Sequence, residues 1–357
     1  MSKVLDARPD AAASGDAAAS GDAPATPRPG RRLPLPGAQW WLRSGAALAF
    51  AAVVAVFALS SPLFLTLANL ANVVQQSAVV GLLGFGLTVV LIGGGADPIR
   101  GGLDLSVAAN LGLCAAVYAV ALRAGFSPGL ALALTLAAGA AVGALNAFAV
   151  IVLRIYPLLA TLTTMNLCAG FELVLTQNTS VPASSPLLAF LLGDGIAGVP
   201  TLALTLLAAA AVFALLIHRT PFGLRLHAVG AHPEAARAAG LRVNRAIAAS
   251  YVLSGLAAAL AALANLALLS GSSPGAGDNL LTLVAAALLG VVFSRRLVPT
   301  IPGTLLAVLF IGVIGNGFQL DNVSSYWVNG VEGVLILFVV ATTAIVRRRH
   351  AGSRAHD

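Results

Sequence analysis

Polar side chains recur at helical spacing inside one apolar segment of this chain. On a helix beginning at Pro157, five side chains separated by three or four residues share one face: Thr161, Thr164, Cys168, Glu172 and Thr176. Hydroxyl and carboxyl groups are costly inside a membrane and commonly mark the route of a solute. The same stripe could instead pack one helix against another, with the hydroxyls bonded to backbone. Both roles stay open, and the path hypothesis names Thr161, Thr164 and Glu172.

A second polar pair, Asn329 and Glu332, lies three residues apart just inside the outer end of the last apolar segment. It is a candidate for the same solute path, and the alternative is an acid that reaches up to the wet interface. Asn146 and Asn316 lie deep in apolar segments and need hydrogen-bond partners. Bonding from helix to helix would explain them equally well.

Asp104 and Ser106 stand where the third apolar segment begins. An Asp or Ser at such a position caps a helix by accepting a hydrogen bond from a backbone N–H. Gly102, just before them, allows the chain to turn tightly at the membrane edge. We expect capping to be their main role, with gating or substrate contact as the alternative.

Residue counts exclude several kinds of chemistry. Lys3 is the only lysine, so the chain has no P-loop lysine to reach a nucleotide's phosphates. The two cysteines, Cys114 and Cys168, are too few for a disulfide framework or a four-ligand metal site. GAGD at Gly275–Asp278 matches an aspartyl protease signature, but no second aspartate lies deep in another apolar segment. We therefore expect no catalytic residue, no metal site and no cofactor.

The elements that would position these residues are membrane spans. Of the 357 residues, 59% are apolar and 9% are charged, whereas an ordinary soluble protein carries about 25% charged residues. A bilayer crossing needs about 20 apolar residues. The sequence therefore predicts an all-α, polytopic membrane bundle of about ten transmembrane helices, near 44–61, 73–92, 105–122, 129–153, 157–176, 198–217, 246–270, 279–294, 303–317 and 327–346. The eighth and ninth are short, and could be tilted, broken or re-entrant.

The basic residues orient this bundle. With ten spans and a cytoplasmic N-terminus, all 20 lysines and arginines except Arg123 fall on the cytoplasmic side, where such residues are retained. The net charge of +7 therefore follows from topology and does not require a nucleic-acid partner. We expect a disordered cytoplasmic tail at 1–38, a transmembrane domain at 39–348 and a short cytoplasmic tail at 349–357.

The longest predicted cytoplasmic loop, 218–245, contains the segment AHPEAARAAGL at Ala231–Leu241. Pro233 fits a helix start, Glu234 complements the helix dipole in the first turn, and Gly240 fits a C-terminal cap. The segment predicts a helix of about two turns with Ala235, Ala236 and Ala239 on a small face, while Glu234 and Arg237 project elsewhere. Such a face suits docking into a groove of a partner protein. The alternative is a connector lying on the surface.

Several segments together resemble the ribose-type permeases of bacterial ABC importers. Gly223–Leu263 is similar to their cytoplasmic coupling loop and the helix that follows it, and GGLDLSV at Gly101–Val107 is similar to a signature of that family. Tyr156–Met165 and Ile301–Leu337 resemble two further family motifs in the same order. The chain departs from the pattern at Asn279–Ala286, which lacks the family's two acids.

The resemblance implies a multi-pass protein of the bacterial inner membrane that pairs with a second permease copy or paralogue. It further implies a periplasmic solute-binding protein that delivers a monosaccharide, and a separate subunit with two ATPase domains. In that case Pro233, Glu234, Ala235, Ala236, Arg237 and Gly240 would couple the permease to the ATPase. The alternative function is an ion-coupled secondary transporter, in which Glu172 and Glu332 would carry protons.

Overall fold

The computed structural model describes residues 38–95, 102–275, 277, 280–294 and 298–323, together with positions 327, 330, 333 and 334. These residues fall within one compact unit, Pro36–Asp357. They form α-helices, one 3-10 helix at Ile196–Gly198, an isolated bridge between Asp194 and Pro200, and one two-stranded ladder. The helices are α1 (Ala38–Ser60), α2 (Leu67–Gln76), α3 (Ala78–Gly94), α4 (Ser106–Arg123), α5 (Pro128–Ile151), α6 (Pro157–Thr176), α7 (Pro186–Leu192), α8 (Thr201–Arg219), α9 (Pro221–Ala231), α10 (Pro233–Ala238), α11 (Val243–Leu269), α12 (Leu280–Phe293) and α13 (Ile301–Leu320).

The chain is a polytopic helical membrane protein. Within the described residues, six helices are long and apolar enough to cross a membrane: α4, α5, α6, α8, α11 and α13. A seventh crossing results if α2 and α3, which meet at a 46° bend, form one span. Nine of the ten predicted spans coincide with helices, and the tenth, 327–346, lies largely outside the described residues. The count of ten crossings and the cytoplasmic termini stay predictions.

Two predicted spans differ in detail from the structure. The span at 73–92 is divided at Ser77, whose hydroxyl donates to the Val73 carbonyl oxygen at 2.7 Å. The ninth span was expected to be shorter than a membrane crossing, and this prediction is wrong, because α13 runs for 20 residues. The reason is local: the Thr300 side chain caps the helix and Pro302 lies in its first turn, where it needs no hydrogen-bond partner. The prolines therefore start α13 rather than interrupt it.

Helix α11 lies at the centre of the bundle, where it packs against α3, α4 and α5. Its contact with α5 is close, because a Cβ added at Gly139 would meet the Gly255 carbonyl oxygen, and one at Gly143 would meet that of Tyr251. Small residues permit such backbone approach between helices in a membrane, where dispersion contacts replace the hydrophobic effect. Polar bonds between helices add to it. The hydroxyl oxygens of Thr88 and Thr304 are hydrogen-bonded at 2.7 Å, and the side-chain amides of Asn69 and Asn316 exchange two hydrogen bonds.

Three connections meet on one side of the bundle. Asn146, near the end of α5, donates to Ser106 at the start of α4, and Thr161, near the start of α6, donates to the Leu103 carbonyl oxygen. The backbone of Gly95, just after α3, lies against Gly230 of α9. The α3–α4 connection, the α5–α6 connection and the 218–245 loop thus share one side. The opposite ends of α6 and α11 are joined by the two-stranded ladder of Val181–Pro182 and Gly271–Ser272.

Candidate coupling and translocation sites

The Gly102–Ser106 motif forms a tight turn at the start of α4. Gly102 has a φ of +123°, a conformation that favours glycine. The buried Asp104 carboxylate accepts hydrogen bonds from the Ser106 backbone N–H at 3.1 Å and from the Ser106 hydroxyl at 2.7 Å, both at Oδ1. The expected N-cap position is wrong, because Leu105 is the residue at the N-cap and it forms no side-chain cap hydrogen bond. Asp104 lies two residues before the first residue of α4 and accepts the hydrogen bond of that residue's N–H.

Asp104 also joins three helices. Its Oδ2 accepts a hydrogen bond from the Ser254 hydroxyl of α11 at 2.7 Å, and its Oδ1 accepts one from the Asn146 amide of α5 at 3.4 Å. The same amide donates to Ser106 at 2.7 Å. Asp104, Ser106, Asn146 and Ser254, which we call the Asp104 junction, are all buried. Helix-to-helix bonding therefore accounts for the amide nitrogen of Asn146, as the sequence allowed, whereas its Oδ1 is buried with no hydrogen-bond partner among the described residues.

The predicted stripe on α6 lies on one face of that helix, and all five of its side chains are buried. Thr161 donates to the carbonyl oxygens of Leu103 and Pro157, and Thr176 donates to that of Glu172. The Glu172 carboxylate packs against Gly112 of α4, where an added Cβ would collide with it. This face therefore packs against α4, which favours the packing alternative. A role of Thr161, Thr164 and Glu172 in the path stays a prediction.

The opposite face of α6 is exposed and carries two polar side chains among apolar ones such as Leu159 and Val174. Thr163, Asn166 and Gly170, three and four residues apart, form what we call the outer face of α6. Thr163 and Asn166 donate to the carbonyl oxygens of Leu159 and Leu162 within their own helix, each at 2.9 Å. Asn166 is the tenth residue of α6, about 14 Å from its start at 1.5 Å per residue, and thus near mid-membrane. Sequence reasoning missed this face, although its spacing is as regular as that of the buried stripe.

The 218–245 loop is more helical than expected. Sequence reasoning predicted one short helix there, and the structure has two, because α9 precedes α10 with Pro221 in its first turn. The expected ends of α10 are confirmed. Pro233 occupies its first turn, and Gly240 has a φ of +80°. The Gly240 and Leu241 N–H groups donate to the carbonyl oxygens of Arg237 and Ala236, which is the Schellman arrangement.

The expected small face of α10 is wrong in one residue. Ala236 is buried against Val229 of α9 and Val243 of α11, so it anchors the helix to its own chain. The other residues of α10 and its cap are exposed, including Pro233, Ala235, Ala239 and Gly240. Glu234 and Arg237 form an exposed salt bridge at 2.9 Å. A partner can therefore reach Ala235 and Ala239 but not Ala236.

Helix α9 connects α10 to the membrane bundle. A Cβ on Gly230 would collide with the Ile92 carbonyl oxygen near the end of α3, and one on Gly95 would collide with the Gly230 carbonyl oxygen. The Leu226 side chain of α9 packs against Gly93 beside these backbone contacts. Backbone thus rests on backbone, so α9 cannot shift far without moving the end of α3. The second predicted path pair, Asn329 and Glu332, lies outside the described residues.

Comparison with known proteins identifies the family. Residues 69–340 match the model described as branched-chain amino acid transport system, permease component. The ribose import permease protein RbsC of Bacillus subtilis (strain 168) is 34% identical over 81% of this chain and 88% of its own length. Its Escherichia coli (strain K12) counterpart is 34% identical over 84% of this chain and 93% of its own length.

A third relative is the autoinducer 2 import system permease protein LsrD of Escherichia coli (strain K12), 28% identical over 86% of this chain and 94% of its own length. No solved structure matches the chain. The expected resemblance to ribose-type permeases is confirmed, and so is a multi-pass location in the bacterial inner membrane. The chain belongs to the permease-component family of bacterial import systems, in which ribose and autoinducer 2 import permeases are its relatives.

Proposed function

We propose that this chain is the translocating subunit of an ATP-driven importer for a small, neutral, hydroxyl-rich solute, with a monosaccharide as the candidate cargo. The observation that carries the proposal is the 34% identity to ribose import permeases over more than four fifths of the chain. The Asp104 and Glu172 carboxylates are buried, whereas the polar side chains on the outer face of α6 are uncharged. Neutral hydrogen-bonding groups suit a sugar, which must bind weakly enough to leave the path.

The outer face of α6 supports a paired assembly with a second permease copy or paralogue. An amide and a hydroxyl near mid-membrane would face hydrocarbon in a single chain, and polar groups at that depth usually face a bundle interior or a water-filled cavity. A second permease facing α6 would enclose Thr163 and Asn166 between the two chains. We place the solute path along this face, with the buried stripe of α6 holding the helix on α4.

The energy source is a separate subunit with two ATPase domains, which docks on α10. The exposed residues Pro233, Glu234, Ala235, Arg237 and Gly240 form the docking surface, and Ala236 fastens α10 to α9 and α11. Because α9 abuts the end of α3 through Gly230, a push on α10 reaches the bundle through backbone contacts. ATPase closure would thereby move α3 relative to its neighbours.

A periplasmic solute-binding protein would deliver the cargo and hold most of the specificity. The ion-coupled alternative is less well supported, because the relatives are named as parts of import systems and a secondary carrier does not require the α9–α10 loop. The deciding experiment purifies the tagged permease from its native host and identifies bound proteins. We expect an ATPase subunit to co-purify and uptake in vesicles to require ATP and a binding protein. Uptake driven by an ion gradient without ATP would overturn the proposal.

A further inference from the structure

A basic groove lies beside α10 and shares only Gly240 with the docking surface assigned to the ATPase subunit. It has a volume of about 460 Å³ and lies between α9, the turn that follows α10, and the start of α11. Three arginines line it: Arg225 from α9, Arg242 from the turn and Arg245 from the first turn of α11. Phe222, Ala246 and Ala249 supply apolar walls.

The three arginines concentrate positive charge in this groove. Each is exposed, and no acidic residue lines the groove with them among the residues described. Within that same part of the chain the one salt bridge joins Glu234 to Arg237, on α10 itself. Arginine presents a planar fork of donors that fits phosphate oxygens. The charge of the groove is therefore complementary to a phosphate group.

The groove lies at the first end of α11, a helix that is longer than the hydrocarbon core is thick. Its 27 residues span about 40 Å, whereas the hydrocarbon core of a bilayer is about 30 Å thick, so roughly 10 Å of the helix extends beyond the core. Arg242 and Arg245 lie at its first end, and Ala249 lies about one turn beyond Arg245. Leu224, next to Arg225 on α9, is 67% exposed, as in a helix that lies along a membrane surface.

We propose that this groove binds the phosphate headgroup of an anionic phospholipid from the cytoplasmic leaflet. The three arginines hold the phosphate, and the wall formed by Phe222, Ala246 and Ala249 accommodates the glycerol and the first carbons of an acyl chain. The rival occupant is an acidic segment of the ATPase subunit. The lipid fits better, because Ala246 and Ala249 of the apolar wall belong to α11, a helix long and apolar enough to cross a membrane. The occupied groove braces α9 against α11 beside the coupling helix.

The test titrates the purified full-length permease in mild detergent with phosphatidylglycerol and counts bound lipids by native mass spectrometry. Phosphatidylcholine serves as the uncharged lipid, and inorganic phosphate as the free anion. The test variant is Arg242→Gln/Arg245→Gln, and the charge-matched control is Arg154→Gln/Arg219→Gln, whose arginines lie outside the groove. Each basic residue near an anionic surface contributes about fivefold, so the test variant should bind phosphatidylglycerol roughly 25-fold more weakly. The control should bind it like the wild type.

Three results would overturn the proposal. Equal loss of phosphatidylglycerol in both variants would show general charge attraction without a site. Displacement of the lipid by millimolar inorganic phosphate would show a site for a free anion. Unchanged lipid binding together with loss of the ATPase subunit from the test variant would assign the groove to an acidic protein segment. Because lipid binding is measured without transport, its absence leaves the proposed import function standing.

Discussion

The Asp104 junction and the outer face of α6 both place polar groups in largely apolar helices, yet they differ in bonding. At the junction, side chains of α4, α5 and α11 bond to one another and are buried. On the outer face, Thr163 and Asn166 bond to their own helix and are exposed. Bonds between helices hold a structure together, whereas a group bonded only to its own helix leaves a face available. Polarity within a span therefore indicates a path only when its bonding and exposure are known.

The largest expected effect is on stability, and it compares a closely packed glycine of α5 with an exposed glycine of α6. Gly139→Val would drive a branched side chain into the Gly255 backbone, which cannot move aside as a flexible side chain could. We expect destabilisation of about 3 kcal/mol or more and loss of the inserted protein. Gly170→Val is the matched control on the outer face of α6, because nothing lies within 4 Å of its added Cβ. Membrane abundance and thermal stability in detergent measure both. Similar losses in the two variants would mean that α6 is covered within the chain itself.

Much of this architecture is predictable from the sequence. Long apolar runs give the spans because a bilayer sets their length. Pro233 and Gly240 give the ends of α10 because one fits a first turn and the other tolerates a positive φ. The 3.6-residue period of a helix also predicts which residues form the α6 stripe. The period does not predict which face of α6 is buried, because the helix is largely apolar all around and carries polar residues on two sides.

What the sequence could not supply are contacts between distant segments. Ser254 lies 150 positions from Asp104, and nothing in the local pattern of α11 pairs them. Ala236 is equivalent to Ala235 by composition, and only the packing of Val229 and Val243 distinguishes them. Sequence reasoning did not predict helix α9, because it assigned these residues to a loop. The close contact of Gly230 with the end of α3 is visible only in the structure. Each miss comes from packing partners that local spacing does not reveal.

The next largest effect compares neighbours on α10. Ala235→Trp adds bulk on the exposed face that we assign to the ATPase, so it should abolish uptake and weaken ATPase co-purification while the permease stays inserted. Ala236→Trp should instead lower permease abundance, because its site is filled by Val229 and Val243. Ala124→Trp is the control for added bulk. Ala124 is exposed just after α4, at the end of α4 that lies away from the Asp104 junction. Normal uptake and co-purification in Ala235→Trp would make α10 a simple connector.

An intermediate effect compares adjacent threonines of α6. Thr164→Leu adds bulk to a buried site and should lower abundance through overpacking of about 1 to 3 kcal/mol, leaving uptake per inserted molecule unchanged. Thr163→Leu removes a hydroxyl from the outer face, so it should lower uptake per inserted molecule several-fold at normal abundance. Transport of labelled sugar, divided by the amount of inserted permease, measures both. The reverse pattern would restore the buried stripe to the path and remove the outer face from it.

The smallest effect tests bonding between helices at the Asp104 junction. Ser254→Ala removes one of the donors to the buried carboxylate, while Ser106 and Asn146 still donate to it. We expect a loss of about 1 kcal/mol, because the carboxylate keeps its other partners. Ser250→Ala, one turn earlier on the same helix, removes only a bond to the Ile247 carbonyl oxygen and should cost less. Thermal unfolding in detergent measures the difference. Equal stability of the two variants would mean that the cross-helix bond to Asp104 contributes no more than a bond within α11. The Asp104 junction and the outer face of α6 would then differ in exposure alone.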